Sequence, residues 1–362
     1  MRPISFFVPN LSVGGAQKVV VNLVNGLSLI TNHPIHLITL RREGEFLSHI
    51  NPKVSIYSLN KNRVLTCCFA LSFYIFKNKP LILCSSLFYS NLCVVVSWMI
   101  SFCSCRLILR EDCLFDNTMS HCSLFKGKLI RFLMKLLYRY AYSVVAISNP
   151  VKNSLIENKI CKTNLITVIP NPVDINFFNN FVKKYKLNLP EYENYICAVG
   201  RLSFEKGFDI LLKAFSEIDN TDIHLVIIGD GKLKKELLDY ANEFSISDKV
   251  HFTGFINPYE ILQNSSLFVL PSRSEGFGLA LVEALALGVP VVATSCPGAP
   301  REILLNGKLG HLVETENASA LTSAINNALI NPRSNSIDRK LRAQEYSTPV
   351  ICKRYLSEVF NI

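Results

Sequence analysis

Two glutamates, Glu275 and Glu283, stand on either side of a glycine-rich turn, with seven residues between them. The apolar run Leu267–Leu270 precedes this turn and helical spacing begins at about Gly278, so the pattern predicts a strand, a turn and a helix. The free backbone amides at the start of that helix would point towards a bound anion and would suit a phosphate. Two carboxylates around such a site fit a ligand that carries sugar hydroxyls on both sides of its phosphates. The alternative is a helix cap beside a surface glutamate.

Two further loops carry residue types that suit a phosphate. Arg201 and Lys206 stand five residues apart in a glycine-bounded loop that follows the apolar run Tyr195–Val199. Because Arg can grip two phosphate oxygens and Lys acts as a point charge, the pair predicts a cationic clamp; a solvated loop is the alternative. Gly14-Gly15, between the first predicted strand and helix, would let a ligand approach the backbone. The third glycine of a dinucleotide fingerprint is missing there, which disfavours NAD-dependent chemistry.

The order of four motifs resembles family 4 glycosyltransferases of the GT-B fold, and the resemblance covers nearly the whole chain. The motifs are Gly14-Gly15-Ala16-Gln17, Asn171-Pro172-Val173-Asp174, Gly200-Arg201-Leu202 with Lys206-Gly207, and the Glu-x7-Glu element Glu275–Glu283. The resemblance implies a retaining, metal-independent transfer from a nucleotide diphosphate sugar. The sequence contains no Asp-x-Asp, which is the usual metal–nucleotide motif of the other major glycosyltransferase fold.

The resemblance also implies a role for each matching position. Arg201 and Lys206 would neutralise the donor diphosphate, and with the helix amides they would stabilise the charge of the leaving group. Glu283 would hold the ribose hydroxyls, and Glu275 would contact the transferred sugar and the distal phosphate. The donor-binding residues expected on this basis are Gly15, Arg201, Lys206, Glu275, Phe277, Gly278, Leu279 and Glu283.

One stretch of the first half departs from many relatives, which carry a histidine after a middle strand. Here the run Leu107–Leu109 is followed by Arg110-Glu111-Asp112, which is similar to a subgroup with Arg or Glu at this place. Glu111 is therefore a candidate contact to the acceptor or the sugar, because it stands at a predicted strand end. The catalytic residues expected are Glu275, Arg201, Lys206 and Glu111, while the identity of any general base stays open.

The apolar runs alternate with helical segments in two series. This alternation predicts an α/β protein with two doubly wound, Rossmann-like domains that face a central cleft. We expect an N-terminal acceptor-side domain over residues 1–178 and a C-terminal nucleotide-sugar domain over residues 179–339. Residues 340–362 are predicted to be helical, with a crossing back onto the first domain as one option.

Charge is unevenly distributed along the chain. Residues 1–180 hold 19 Lys and Arg against 7 Asp and Glu, a net charge of +12, whereas residues 181–362 have a net charge of −2. A basic domain indicates an anionic partner such as anionic lipid or a pyrophosphate-linked substrate. Nucleic acid is disfavoured because no recognition motif is present.

The twelve cysteines lack the paired spacing of zinc sites, so we expect buried thiols in a reducing compartment, with no metal and no cofactor.

Two features bear on membranes. The 26 uncharged residues between Lys79 and Arg106 are long enough to span a bilayer, but a polar break favours a buried strand and helix. An amphipathic helix is predicted over Lys128–Tyr142, with a basic stripe that falls within an arc of about 80°. The expected membrane-binding residues are Lys126, Lys128, Arg131, Lys135 and Arg139. The alternative is an ordinary helix packed on the sheet with its charges in water.

These features together predict a retaining glycosyltransferase located at the cytoplasmic face of the cell membrane. It would move a hexose or N-acetylhexosamine from a nucleotide diphosphate sugar, with UDP as the expected nucleotide, to a lipid-linked or polysaccharide acceptor in O-antigen or capsule synthesis. Two alternatives share the fold: a sugar-nucleotide epimerase or phosphorylase, which the Glu-x7-Glu element disfavours, and an inactive membrane-associated partner of another transferase. The presence of Arg201, Lys206 and Glu283 in the sequence disfavours the inactive partner, since an inactive protein would be expected to have lost them.

Overall fold

A computed structural model describes residues 1–12, 14–116, 123–175, 194–220 and 222–362 of the chain. The chain divides into two compact units, one formed by Met1–Val173 with Ser347–Ile362 and the other by Asp174–Tyr346. The predicted boundary between residues 178 and 179 lies outside the described residues.

The first unit is built on a parallel sheet of seven strands in the order β3-β2-β1-β4-β5-β6-β7. Both faces of a parallel sheet are covered by helices, which is why its central strands β1, β4 and β5 are buried along almost their whole length. The strands are β1 Ile4–Phe7, β2 Ile35–Thr39, β3 Val54–Ser58, β4 Ile82–Ser86, β5 Arg106–Glu111, β6 Ser143–Ala146 and β7 Ile166–Val168.

The helices of the first unit connect these strands, and a C-terminal helix returns to them. They are α1 Gly15–Ile30, α2 Cys68–Asn78, α3 Phe88–Ser101, α4 Leu124–Leu137, α5 Asn149–Glu157 and the C-terminal helix Thr348–Arg354, which continues as a π turn over Tyr355–Phe360. Short 3-10 turns occur at Glu45–His49, Val64–Thr66, Tyr138–Tyr140 and Thr163–Leu165. The C-terminal helix packs against α1. Arg106 Nη1 also donates to the Phe360 carbonyl at 2.5 Å, which ties the chain end to the first unit.

The long uncharged stretch folds into β4 and α3, as the sequence predicted. None of the described helices is long and apolar enough to cross a bilayer.

The second unit repeats the same plan with six parallel strands in the order β10-β9-β8-β11-β12-β13. The strands are β8 Tyr195–Val199, β9 His224–Ile228, β10 Val250–Gly254, β11 Leu267–Leu270, β12 Val291–Thr294 and β13 His311–Val313. The helices are α6 Phe208–Ser216, α7 Lys234–Glu243, α8 Tyr259–Asn264, α9 Leu279–Leu287, α10 Pro300–Ile303, α11 Ala318–Ile330 and α12 Ser336–Gln344, and a 3-10 turn covers Phe204–Lys206. The prediction of an α/β fold with two parallel sheets is confirmed.

The strand order places a switch point between β8 and β11 in the second unit. From these two neighbouring strands the chain winds in opposite directions, so the loops that follow them flank a crevice at the carboxyl edge of the sheet. Helix α9, which follows β11, is apolar on nearly all sides and is mostly buried. The fold therefore holds the start of α9 rigidly at this edge.

Candidate functional site

The loops after β8 and β11 lie against each other in the second unit. The Arg273 amide donates to the Glu205 carbonyl at 2.9 Å, which joins the two loops through their backbones. Gly207 has a φ of +65°, and a Cβ at this position would lie 2.2 Å from the Pro271 carbonyl oxygen. Only glycine fits this close approach without strain. The glycine next to Lys206 therefore sets the spacing of the two loops.

Lys206 and Glu275 form an ion pair across these loops. Lys206 Nζ lies 2.6 Å from Glu275 Oε1, and the Ser272 hydroxyl donates to the same oxygen at 2.7 Å. The Glu275 side chain is 7% exposed and the Lys206 side chain is 24% exposed. A charge-assisted hydrogen bond with this little water around it is stronger than a surface pair. The structure thus brings together two of the residues that the sequence singled out.

The start of α9 lies four residues beyond Glu275 and carries no cap. Gly278 occupies the N-cap position with a φ of +97°, no side chain bonds to the cap, and the first turn contains no acidic residue. The amides of Leu281 and Val282 bond to the Gly278 carbonyl within the helix. The Leu279 and Ala280 amides bond to none of the described residues, so they are available to an external acceptor, and the helix dipole favours a negative charge there. The geometry suits a phosphate.

Arg201 and Glu283 complete the set expected in this unit. Arg201 is exposed, and within the described ranges its guanidinium makes no hydrogen bond or salt bridge. Its guanidinium is therefore available for a ligand on the loop that also carries Lys206. Glu283 lies on α9 and is 4% exposed, so its carboxylate is held inside the unit.

Arg273 is a residue of this site that the sequence reasoning missed. Its guanidinium donates to both carboxylate oxygens of Asp209, at 2.8 and 2.6 Å, and also pairs with Glu316. It lies 4.0 Å above the ring of Phe204. Arg273 therefore fastens the Lys206 loop to its neighbours, and its charge is already neutralised by two carboxylates. Nothing in the sequence distinguishes this arginine from a ligand-binding one, because its partners are distant along the chain.

Models of two glycosyltransferase families match the chain. The model of glycosyl transferases group 1 matches residues 180–347, and the model of Glycosyltransferase Family 4 matches residues 13–177. The two models together span nearly the whole chain.

The chain belongs to glycosyltransferase family 4 and has the GT-B fold.

Individual relatives of this glycosyltransferase align with more than half of its length. It is 28% identical over 344 residues to N-acetylgalactosamine-N,N'-diacetylbacillosaminyl-diphospho-undecaprenol 4-alpha-N-acetylgalactosaminyltransferase of Campylobacter jejuni, which covers 91% of this chain and 90% of the relative. It is 29% identical over 228 residues to the capsular polysaccharide biosynthesis glycosyltransferase CapM of Staphylococcus aureus, covering 58% of each chain. Among solved structures, Anabaena HepE in complex with UDP and glucose aligns over 100% of both chains with a TM-score of 0.81 and 18% identity. HepE therefore shows a shared fold.

In the first unit of the glycosyltransferase, Glu111 ends β5 and is buried. One carboxylate oxygen accepts hydrogen bonds from Asn91 Nδ2 at 2.8 Å and from the Tyr138 hydroxyl. Burial raises the pKa of Glu111 to about 7, and the hydrogen bonds from Tyr138 and Asn91 oppose this rise. Gly15 is the exposed first residue of α1, and its N-cap, Gly14, makes no side-chain cap. The roles expected for Glu111 and Gly15 stay predictions.

The basic residues predicted to bind a membrane lie on and beside α4 of the glycosyltransferase. Lys126, Lys128, Arg131, Lys135 and Arg139 are all exposed. Arg131 donates to the Asn158 side-chain oxygen at 2.5 Å, and Arg139 donates to the Tyr140 hydroxyl at 2.9 Å. The predicted basic stripe is therefore open to solvent, and its membrane role stays a prediction.

Proposed function

We propose that this glycosyltransferase transfers a hexose or N-acetylhexosamine, with retention of configuration and without a metal ion, from a UDP-sugar to a lipid-linked or polysaccharide acceptor. The observation that carries the proposal is the Lys206–Glu275 pair beside the uncapped start of α9. A cation, a carboxylate and free amides within one crevice match a ligand that joins a sugar to a diphosphate. Arg201 adds a second cation to the same loop.

The reaction breaks the bond between the anomeric carbon and the distal phosphate oxygen, and the nucleoside diphosphate leaves with that electron pair. The acceptor hydroxyl oxygen bonds to the anomeric carbon on the face from which the phosphate departs, and its proton passes to an oxygen of the departing phosphate. Negative charge therefore develops on the departing phosphate, where Lys206, Arg201 and the α9 amides would stabilise it. Lys206 and the α9 amides are held in place before the reaction, so they need little reorganisation as the charge develops. Glu275, held by Lys206 and Ser272, would orient the sugar hydroxyls.

The names of relatives support the choice of donor and acceptor. The Campylobacter relative is named for transfer of N-acetylgalactosamine to a diphospho-undecaprenol-linked saccharide, and CapM for capsular polysaccharide biosynthesis. The HepE structure contains UDP and glucose. We extend these chemistries to this chain and place its reaction in the assembly of a surface glycan such as O-antigen or capsule.

The exposed basic stripe of α4 supports a location on the inner face of the cell membrane. The cytoplasmic leaflet is negatively charged, and each Lys or Arg near its surface contributes about 1 kcal/mol of attraction. An enzyme that acts on a lipid-linked acceptor benefits from such docking because its substrate is confined to the same surface.

A nucleotide-sugar screen followed by product analysis tests the proposal. We expect UDP-sugars, rather than GDP- or ADP-sugars, to raise the melting temperature, since a ligand at 100 times its Kd stabilises by about 2.7 kcal/mol. With the stabilising donor and an undecaprenyl-diphosphate-linked acceptor, NMR should show that the anomeric configuration is kept in EDTA. Stabilisation by GDP- or ADP-sugars alone contradicts the donor assignment, inversion contradicts retention, and loss of activity in EDTA contradicts metal independence.

A further inference from the structure

Helix α2 of the first unit turns a row of phenylalanines towards solvent. Phe69, Phe73 and Phe76 are 77%, 66% and 61% exposed. Their spacing of four and then three residues places them on one side of the helix. The opposite side is used for packing, since Leu71 and Ile75 are buried. Three large aromatic side chains on one exposed helix face exceed what a soluble surface normally carries, and such patches mark interaction sites.

Helix α4 carries a second apolar row of the same kind. Phe125, Leu129, Phe132 and Leu136 follow a spacing of four, three and four residues, and all four are exposed. The core contact of this helix is made by another side, where Ile130, Met134 and Leu137 are buried. The exposed row is therefore additional to the packing that the fold requires.

Both rows belong to one helical layer. Helix α3 packs against α2 and also against α4. The connections from β3 through β6 all advance in one direction across the sheet, and right-handed crossovers place their helices on the same face. The end of α3 adds Phe102, which is 97% exposed. We call six exposed phenylalanines of these helices and their ends the phenylalanine layer: Phe69, Phe73, Phe76, Phe102, Phe125 and Phe132.

The chain segments that carry the phenylalanine layer contain only positive charges. The sequence has no Asp or Glu between residues 46 and 110, which include α2 and α3, and none between residues 117 and 156, which include α4. Exposed cations border both rows, with Arg63, Lys77 and Lys79 beside α2 and the basic stripe on α4. An isologous contact with a second copy would bring like charges together, which disfavours self-association. An anionic lipid bilayer complements both features, because its headgroups attract the cations and its acyl chains accommodate the aromatic rings.

We propose that the phenylalanine layer inserts into the acyl-chain boundary of an anionic bilayer while the flanking cations contact the headgroups. This inference rests on the membrane location in the proposed function and deepens it. Charge would guide the approach, and insertion of the rings would hold the protein in place. Binding held by insertion persists at high salt, whereas purely electrostatic adsorption is screened.

Vesicle co-sedimentation of the full chain, without donor or acceptor, tests this mode of binding. Vesicles of phosphatidylcholine with and without phosphatidylglycerol are compared at about 50 and 500 mM salt. Wild-type protein should bind the anionic vesicles at both salt concentrations. The Phe69→Ser/Phe73→Ser variant should bind about tenfold more weakly at both, because buried apolar area is lost. The Lys128→Gln/Lys135→Gln variant should be weakened mainly at low salt.

Matched controls separate insertion from a change in folding. Ile330, which is 78% exposed in the second unit, provides the control Ile330→Ser, and this variant should bind like wild type. Thermal unfolding should be unchanged in all these variants, since the substituted side chains are exposed. Trp98 is the one tryptophan of the sequence and lies on α3. Brominated acyl chains should therefore quench its fluorescence in the wild type and less in the phenylalanine variant.

Three results would overturn the inference. Wild-type binding that disappears at high salt would leave only adsorption. Equal binding by wild type and Phe69→Ser/Phe73→Ser would mean that the rings are not inserted. Sedimentation velocity that shows a lipid-free dimer, dissociated by the same substitutions, would assign the layer to a second copy. Failure of the donor site is distinguished by Lys206→Ala, which should bind vesicles normally whether or not it transfers sugar.

Discussion

Replacement of Lys206 by alanine is the most direct test of the donor site. In the free protein its ammonium group lies 2.6 Å from Glu275 Oε1, on a loop whose position is fixed by Gly207 and Arg273. The substitution removes one positive charge from the place where the departing diphosphate would lie. It also leaves the Glu275 carboxylate with the Ser272 hydroxyl as its remaining described side-chain partner.

The magnitude follows from Coulomb's law and from the burial of the pair. Two unit charges 4 Å apart interact by about 4 kcal/mol at an effective dielectric constant of about 20. Lys206 is 24% exposed, so water would replace part of the lost interaction. We therefore expect a loss of about 2–3 kcal/mol, or roughly a 30- to 160-fold lower kcat/KM.

The assay is release of nucleoside diphosphate with the donor identified by the screen. Lys213→Ala, at an exposed position on α6, is the matched control and should keep the wild-type rate. Lys206→Ala should also lower the free energy of unfolding, because it leaves a nearly buried carboxylate without its cation. Adding Glu275→Gln should restore that stability but not the rate. A rate for Lys206→Ala within threefold of wild type would refute the reasoning.

Three further outcomes are expected. Glu283→Ala should weaken donor binding in calorimetric titration by at least about tenfold, or 1.4 kcal/mol, and near wild-type affinity would contradict the ribose role. Gly207→Ala should lower the free energy of unfolding in urea by about 1–3 kcal/mol and reduce donor affinity, because the new Cβ would meet the Pro271 carbonyl. The control Gly254→Ala, at a φ of +70° with nothing within 4 Å of the new Cβ, should show backbone strain alone. Equal effects of the two substitutions would contradict this account. The raised pKa of Glu111 means that the folded state keeps a proton which the unfolded state releases above about pH 4.5. The free energy of unfolding should therefore fall by on the order of 3 kcal/mol as the pH rises from about 4.5 to about 7. Urea unfolding at pH 5 and 7.5 measures this fall, and Glu111→Gln should not show it. The same pH dependence in the wild type and in Glu111→Gln would contradict the pKa shift.

The sequence predicted the central strands and the turns of the site because both depend on local signals. Tyr195–Val199 and Leu267–Leu270 form strands with the bounds expected from their apolar runs. The edge strands β3, β7 and β13 were not predicted from the sequence, because each is either three residues long or only partly buried and is stabilised by its neighbour in the sheet rather than by its own apolar run. The residues of a short edge strand do not by themselves indicate that a neighbouring strand will pair with them.

Residue type and order along the chain were enough to select Arg201, Lys206, Glu275 and Glu283. Tertiary structure alone decided which of them meet, because the Lys206–Glu275 contact joins loops 69 residues apart. It also decided that Arg273 is neutralised by carboxylates and that Glu111 is buried against Tyr138. The exposed phenylalanines of α2 show the same limit. The identity of an apolar residue does not indicate whether another element covers it, because burial depends on what packs against the side chain in the tertiary structure.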